Sequence, residues 1–595
     1  MIARSFLFVY FVLFWIDMKT LSKYLYPYRW LILLLFGVVY WQVAVNLALP
    51  DYMARIVNDG IVAKNSALIW STGAWMLLIS LGGAVATVII SFLAARIAAG
   101  FAKNIREQLF TRVEQFSLAE FNKFSTASLI TRSTNDIQQI QMVLVMSLRL
   151  VLMAPLTGVW AIIKAYHTAP SMTWIMALAV GVLLTIIISL FSVAIPRFKL
   201  LQKMVDKLNL VTREMLTGLR VIRAFNTGAA EEQKFAGVNT DLTKLNLFLN
   251  RLMVIMQPIM MLIMNFTTLA ILWVGADLID SGSLQIGQML AFMQYAIQVI
   301  FSFLMISFLF IMVPRASVSA QRVAEILTTE ATIKNPNQPV TPKTKPGNIE
   351  FNQVTFYYPG ASTPTLNNIF FVAKPGTTTA IIGSTGSGKS TLVNLIPRLY
   401  DVTSGSIKID GVDVRDMLLK DLYDYLGYVS QQAVLFSGTV ESNIKYGAPQ
   451  ATPEVVQQAA TITQASEFIK TLTGGYEAAI TQGGTNVSGG QKQRLAMARA
   501  LVRQPRIYIF DDSFSALDFK TDALIRQALR AEINQKTVLI VAQRISTIKQ
   551  ADNIIVLDEG VIVGEGTHSS LMKSCAVYRE IAESQLSEQE LKQNQ

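Results

Sequence analysis

The stretch GSTGSGKST, residues 383–391, is the part of the chain whose residue types and spacing point most directly to chemistry. It fits G-x-x-x-x-G-K-[ST]. It follows the apolar run TTAIIG and precedes TLVNLIPRLY, the strand–loop–helix setting in which such a loop holds phosphate. Gly383, Gly386 and Gly388, with Ser384, Thr385 and Ser387 between them, let backbone N–H groups surround phosphate oxygens at a helix N-terminus. Lys389 is placed to reach terminal phosphates, and Ser390, ahead of Thr391, to ligate Mg²⁺. A second apolar strand, RIYIFD, ends at Asp511, a carboxylate that would hold the same metal through water; Asp512 follows it directly. VSGGQ, residues 487–491, sets Ser488, Gly489, Gly490 and Gln491 before the helical run KQRLAMARAL, a second backbone cradle for phosphate. The chemistry implied is that of ATP with Mg²⁺.

These loops need a sheet to carry them. From Ile349, where IEFNQVTFYY alternates as a strand, to about residue 583, strands and helices alternate as in an α/β domain. Just before it, residues 328–347 hold Pro336, Pro339, Pro342 and Pro346 among Thr, Lys and Asn, a semi-extended connector. The first half is different in kind. Hydrophobic residues make up 52% of the 595, and the long apolar runs lie before residue 314. Six runs are long enough to span a bilayer: about 30–50, 68–94, 143–166, 171–195, 252–276 and 286–313.

The net charge of +11 suits an anionic membrane face, and no basic patch interleaved with aromatics suggests nucleic acid. The loop after the second run carries Arg96, Lys103, Arg106, Arg112, Lys123 and Arg132. The loop after the fourth carries Arg197, Lys203, Lys207, Arg213 and Arg220, whereas DSGS after the fifth has no basic residue. The positive-inside rule then puts both basic loops and both chain ends in the cytoplasm. QLFTRVEQFSLAEF and KLNLVTREMLTGLRVIRAF repeat apolar residues at helical spacing, so the basic loops are expected to extend the membrane helices. The run inside residues 1–17 is too short to span and lacks an A-x-A-like site; Met18 reads as the natural start, with an interfacial anchor as the alternative. The single cysteine, Cys575, permits no internal disulfide. The expected plan is a leader at 1–17, a six-span domain at 18–327, a linker at 328–347 and a nucleotide-binding domain at 348–595.

In these motifs and this order the chain, over about residues 18–585, resembles an ATP-binding cassette (ABC) exporter half-transporter. The fold class implied is a six-helix all-α transmembrane domain of type I ABC exporter kind, fused to an α/β P-loop domain. In that family two nucleotide domains face head to tail, and each ATP lies between one phosphate loop and the other subunit's signature. The resemblance makes Tyr358, in TFYYPG, the aromatic that stacks on adenine. Gln431, in YVSQQAVLF, becomes the glutamine that senses Mg²⁺, grouped with Ser390 and Asp511. Ser488 to Gln491 become the signature acting in trans, and Ser515, Ala516, Leu517 and Asp518 the dimer-contacting loop. Segments near 115–125 and 208–217 resemble the elements that transmit motion to the spans.

Two departures from the family's pattern carry the functional expectation. Members that hydrolyse efficiently have Glu where this chain has Asp512, and a switch His where VAQRIST places Gln543. Asp shortens the reach of the carboxylate by about 1.5 Å, and a misplacement of about 1 Å can cost roughly 10²-fold in rate. Gln543 can donate a hydrogen bond to phosphate but cannot become a cation or relay a proton. Neither His167 nor His568 stands where it would substitute, and Gln482 also replaces a Glu frequent before the signature. The expectation is a chain that binds ATP and hydrolyses it slowly, while its intact signature completes a partner's site. This combination resembles the degenerate-site subunit of bacterial heterodimeric multidrug exporters, whose partner keeps the Glu and His. The fifth and sixth spans are rich in soft side chains, among them Met253, Met256, Met260, Met261, Met264, Met289, Phe292, Met293, Phe301 and Met305, which suit hydrophobic cargo. Asn265, Gln294, Gln298 and Arg149 are polar candidates within the bundle. The alternatives are a lipid flippase or peptide exporter of the same architecture, a slow homodimer, and, in another class, an ATP-sensing regulator.

Overall fold

Long apolar segments form helices in a membrane because only a helix satisfies its own backbone N–H and C=O groups without water. A computed structural model describes residues 21–532 and 534–586; the leader expected at residues 1–17 lies outside the described residues. All six expected spans are helical: Tyr26–Val62, Ser66–Glu114, Thr126–Thr168, Pro170–Thr217, Gly228–Asp280 and Ile286–Ile306. The helices are α1 (Arg29–Arg55), α2 (Ser66–Glu114), α3 (Leu118–Phe124), α4 (Thr126–Thr131), α5 (Ile137–Thr168), α6 (Thr173–Thr217), α7 (Leu219–Ala224), α8 (Gly228–Val254), α9 (Met256–Asp280) and α10 (Ile286–Thr328). At 1.5 Å per residue, α2 with its 49 residues runs about 74 Å. That is more than twice a bilayer's hydrocarbon core of about 30 Å, so much of it extends beyond, as its amphipathic second half implies.

The chain divides into two units, one of residues up to Glu114 with Ser125–Thr329, the other of Gln115–Phe124 with the residues from Glu330 on. In the first unit α1, α5 and α10 share a core in which Leu47, Ala161, Phe292 and Tyr295 are fully buried. α5 and α10 approach closely at Gly158, where a Cβ would stand 2.6 Å from Ser302 Oγ. Residues 208–217 are the end of α6, the helical extension of the fourth span that was expected. The chain breaks at Gly218, and α7 follows as a short helix beside which Leu216, Val221 and Phe225 are exposed.

In the second unit, strands that read as continuous apolar runs form a parallel sheet buried on both faces. Its order is β12 (Val561–Gly566), β11 (Asn553–Asp558), β3 (Thr378–Ile382), β10 (Thr537–Val541), β9 (Ile507–Asp511) and β6 (Leu426–Val429), with only β12 antiparallel. A second, antiparallel sheet orders β2 (Leu366–Ala373), β1 (Ile349–Phe356), β4 (Ser404–Ile409) and β5 (Val412–Asp413), and β7 (Gly438–Thr439) pairs with β8 (Ala479–Ile480). Four helices bear on the site: α11 (Lys389–Leu395), α12 (Gly489–Leu501), α13 (Phe519–Glu532) and α14 (Ala576–Glu583). Cys575 is buried at the start of α14, its Sγ 3.8 Å from Val563 O.

Candidate functional site

Parallel strands β3, β9 and β10 end side by side, so the loops after them meet at one edge of the sheet. The loop after β3 is residues 383–388, leading into α11. Gly388 has φ +98°, which a side chain would strain. A Cβ on Gly383 would lie 2.0 Å from Leu557 O, so the loop can pass this close to β11 only as glycine. Lys389 Nζ donates to Gly383 O at 2.8 Å and Ser384 O at 2.6 Å, drawing its ammonium over the loop. Burial lowers the Lys389 pKa, while Asp512 and Asp511 act to raise it, which sets both carboxylates near the ammonium. Ser387 Oγ is buried and makes no hydrogen bond among the described residues.

The end of β9 brings in the carboxylates. Asp511 Oδ1 accepts from Ser390 Oγ at 2.9 Å. The pair of hard oxygens fits Mg²⁺, and the glycine loop with the unpartnered Ser387 hydroxyl fits phosphate. Asp512 sits at φ +48°, the left-handed region that Asp and Asn tolerate best. Its Oδ2 receives two amides, Gln543 Nε2 at 2.9 Å from the loop after β10 and Gln431 Nε2 at 3.3 Å from the loop after β6. Burial raises the pKa of both carboxyls. At Asp511 the Ser390 bond opposes this, and at Asp512 the Gln431 bond, the Lys389 charge and the Gln543 bond do. Gln431, expected to sense Mg²⁺ with Ser390 and Asp511, bonds Asp512, the residue next to Asp511.

Tyr358 lies over α11, its hydroxyl 2.9 Å from Thr391 Oγ1 and its ring edge-on to Tyr400 at 5.4 Å. Tyr400 accepts a bond from Asn122 Nδ2 of α3 at 3.2 Å, and Leu118 and Ala119 pack on the same core. Glu120 fixes the start of α3 by accepting from Ser117 N at 2.8 Å. Burial acts to raise its pKa, but the Ser117 and Thr332 bonds leave it lowered.

Ser488 caps α12 in a reciprocal pair with Gln491: Gln491 N donates to Ser488 Oγ at 3.3 Å, and Ser488 N to Gln491 Oε1 at 2.9 Å. This leaves Gly489 and Gly490 at the helix N-terminus, with Gly490 so close to Ala516 that a Cβ would come 3.2 Å from Ala516 O. Gln493 Oε1 accepts from Ala516 N at 3.3 Å, tying α12 to the loop of Ser515 to Asp518. Arg544 donates to Ser515 O, and Asp518 caps α13 by accepting from Thr521 N. Ser488–Gln491 therefore adjoin the 515–518 loop, and that loop adjoins the group formed by Lys389, Ser390, Asp511, Asp512, Gln431 and Gln543, since Ser515 Oγ donates to Asp512 O at 2.8 Å. Gln493, Arg544 and Asn122 were not singled out by sequence, although all three fall inside segments that were.

In the transmembrane unit, Gln294, Gln298, Phe301 and Met305 of α10 line a cavity of about 500 Å³ with Asn46, Met53, Met153 and Thr157. Gln298 donates to Asn46 O at 3.3 Å. Met253, Met256, Met260, Met261, Met264 and Phe301 line a second, Met-rich cleft, whereas Met289, Phe292 and Met293 belong to the helix core. Arg149 lies on an exposed face of α5. Sequence reasoning missed a trio in this unit: Asp51 accepts from Lys164 Nζ at 2.7 Å and Tyr295 OH at 2.5 Å.

Comparison with known proteins agrees with this architecture. Residues 31–303 match the model of the ABC transporter transmembrane region, and residues 366–515 that of the ABC transporter family. The chain belongs to the ABC transporters, as an exporter-type half-transporter and a multi-pass membrane protein with ATPase-coupled transport as its class of activity. It is 40% identical over 572 residues to an uncharacterized ABC transporter ATP-binding protein of Mycobacterium tuberculosis, covering 96% of this chain and 98% of that one. It is 30% identical to a multidrug efflux ATP-binding/permease protein of the same organism, over 94% of this chain and 47% of the other. It is 32% identical to a fatty acid ABC transporter ATP-binding/permease protein of Mycobacterium bovis, over 80% and 75%. A solved bacterial Atm1-family ABC exporter with ATP bound shares the fold at a TM-score of 0.78, with 23% identity over 94% of this chain and 99% of that one.

Proposed function

We propose that this chain is one subunit of a heterodimeric exporter in the plasma membrane, with the nucleotide domain and both termini cytoplasmic. Its own phosphate loop holds ATP and hydrolyses it slowly, and its signature completes the partner's site. The observation that carries this reading is Asp512: a short carboxylate at the second acidic position, engaged by two neutral amides. Lys389, with the N–H groups of residues 383–388, would hold the phosphates, and Tyr358 the adenine. Mg²⁺ would sit by Ser390 and Asp511 and screen phosphate charge when bound. Asp512 is the carboxylate left in this site, among the described residues, to orient water, and Gln543 can hold a phosphate oxygen without supplying a positive charge. The partner is a second half-transporter with the Glu and His in place.

The cargo proposed is a hydrophobic or amphiphilic small molecule. The Met-rich cleft supports it, since thioethers adapt to varied apolar shapes, and so do the multidrug and fatty acid relatives. The deciding experiment is gentle purification of the tagged chain from its own host. A second, different half-transporter in equal amount is the expected outcome; recovery of copies of this chain alone would end the heterodimer reading. Dye uptake against fatty acid uptake in inverted vesicles then separates drug export from lipid export.

A further inference from the structure

The switch position is held from behind by the end of the chain. Gln585, just past α14, donates from Nε2 to Gln543 O at 2.8 Å, and its Oε1 accepts from Ile545 N at 2.9 Å. One side-chain amide thus spans the backbone on both sides of Arg544, the geometry of a neighbouring strand. α14 has a firm base for this: Tyr578 and Ala582 are fully buried, and Leu586 N bonds back to Ala582 O. The clamped segment faces the site in two directions. Gln543 Nε2 reaches Asp512 at 2.9 Å, and the Arg544 guanidinium reaches Ser515 O at 3.2 Å while stacking on Phe519.

We propose that Gln585 is a positioning residue for ATP at this chain's own phosphate loop, acting by fixing the peptide that aims Gln543. Glutamine at 543 has no charge to draw it toward a terminal phosphate, so its contact depends on where the backbone places it. Gln585 supplies that placement without touching nucleotide, metal or Asp512. The inference rests on the proposed role of Gln543 as the residue facing the terminal phosphate.

The test uses the full-length protein in its native membrane assembly and follows release of a fluorescent ATP analogue from this chain's site. Q585A, Q543A, the double variant and Q585E are compared with the unaltered protein. Loss of two bonds of modest net strength is expected to speed release about three- to ten-fold in Q585A. Q585E keeps the acceptor for Ile545 N but not the donor for Gln543 O, and should fall between. The double variant should release no faster than Q543A, because Gln585 acts through residue 543. A purely structural role would instead multiply the two effects, and that result, or a Q585A rate equal to the unaltered one, overturns the proposal. Faster release in Q585A with none in Q543A also overturns it. Faster release in Q543A alone removes the clamp and leaves the reading of Gln543 intact. Rapid single-turnover hydrolysis in the unaltered protein would remove the slow-site reading independently.

Discussion

Asp512 is the residue on which the proposed slow site turns. Its Oδ2 already accepts from Gln431 and Gln543, and its side chain is one methylene shorter than the family's usual acid. D512E should lengthen the reach, at a cost of about 1–2 kcal/mol for a longer side chain at φ +48°. With the partner's site disabled, D512E with Q543H is expected to raise steady-state ATP hydrolysis by roughly 10²-fold; an unchanged rate would show that the slow step lies elsewhere. A second consequence concerns stability. Burial raises the Asp512 pKa, so between the ordinary carboxylate value and the raised one the folded protein binds a proton that the unfolded chain does not. Stability without nucleotide therefore falls as pH rises through that window, and the cost is complete above it. D512N removes the cost, and Asn is at ease in the left-handed region. Its nucleotide-free thermal midpoint at neutral pH should exceed that of the unaltered protein, with the difference shrinking at acidic pH.

At the scale of elements, α3 belongs to the nucleotide-binding unit and is tied to its phosphate-loop helix. The chain from Asn122 through Tyr400 and Tyr358 to Thr391 at the start of α11 consists of one hydrogen bond, one edge-on ring pair and a second hydrogen bond. N122A removes a single bond, worth about 1 kcal/mol, and touches no ligand. Drug-stimulated ATPase is expected to fall several-fold while the basal rate holds; an equal fall in both would argue for general damage. These elements differed in how plainly they could be read. The phosphate loop was legible because glycine spacing and flanking strand and helix patterns agree. The end of α6 was not: KLNLVTREMLTGLRVIRAF keeps one amphipathic period across Gly218, so periodicity hides the break. The split between α8 and α9 at Ile255 carries a local mark that a count of apolar residues passes over, Pro258 in the first turn of α9.

Across the whole molecule, what stayed illegible is what distant positions build together. Apolar runs announce six spans, but nothing local to Asp51, Lys164 or Tyr295 announces their meeting. These residues lie 113 and 244 positions from Asp51. The same holds for Gln585, whose partners are 40 and 42 residues away. The Asp51 trio links α1, α5 and α10. Both ends of its ion pair are about two-fifths exposed, so the pair itself contributes about 1 kcal/mol or less. The Tyr295 hydroxyl is another matter, since its residue is fully buried. D51A, by taking away its shorter bond, should destabilise the transmembrane unit by about 1–3 kcal/mol, D51N by less, and K164M least. Thermal unfolding of the detergent-purified protein would rank them, and a K164M effect as large as that of D51A would show the ion pair to dominate.

The lone thiol at Cys575, closed in at the start of α14, has a practical consequence for watching this transporter move. A maleimide or nitroxide reagent meets no exposed native cysteine on the chain. Reporter cysteines placed on α3 and α7 would therefore carry the whole signal, and distances between them could be followed through the ATP cycle without first rebuilding the protein to remove background labelling.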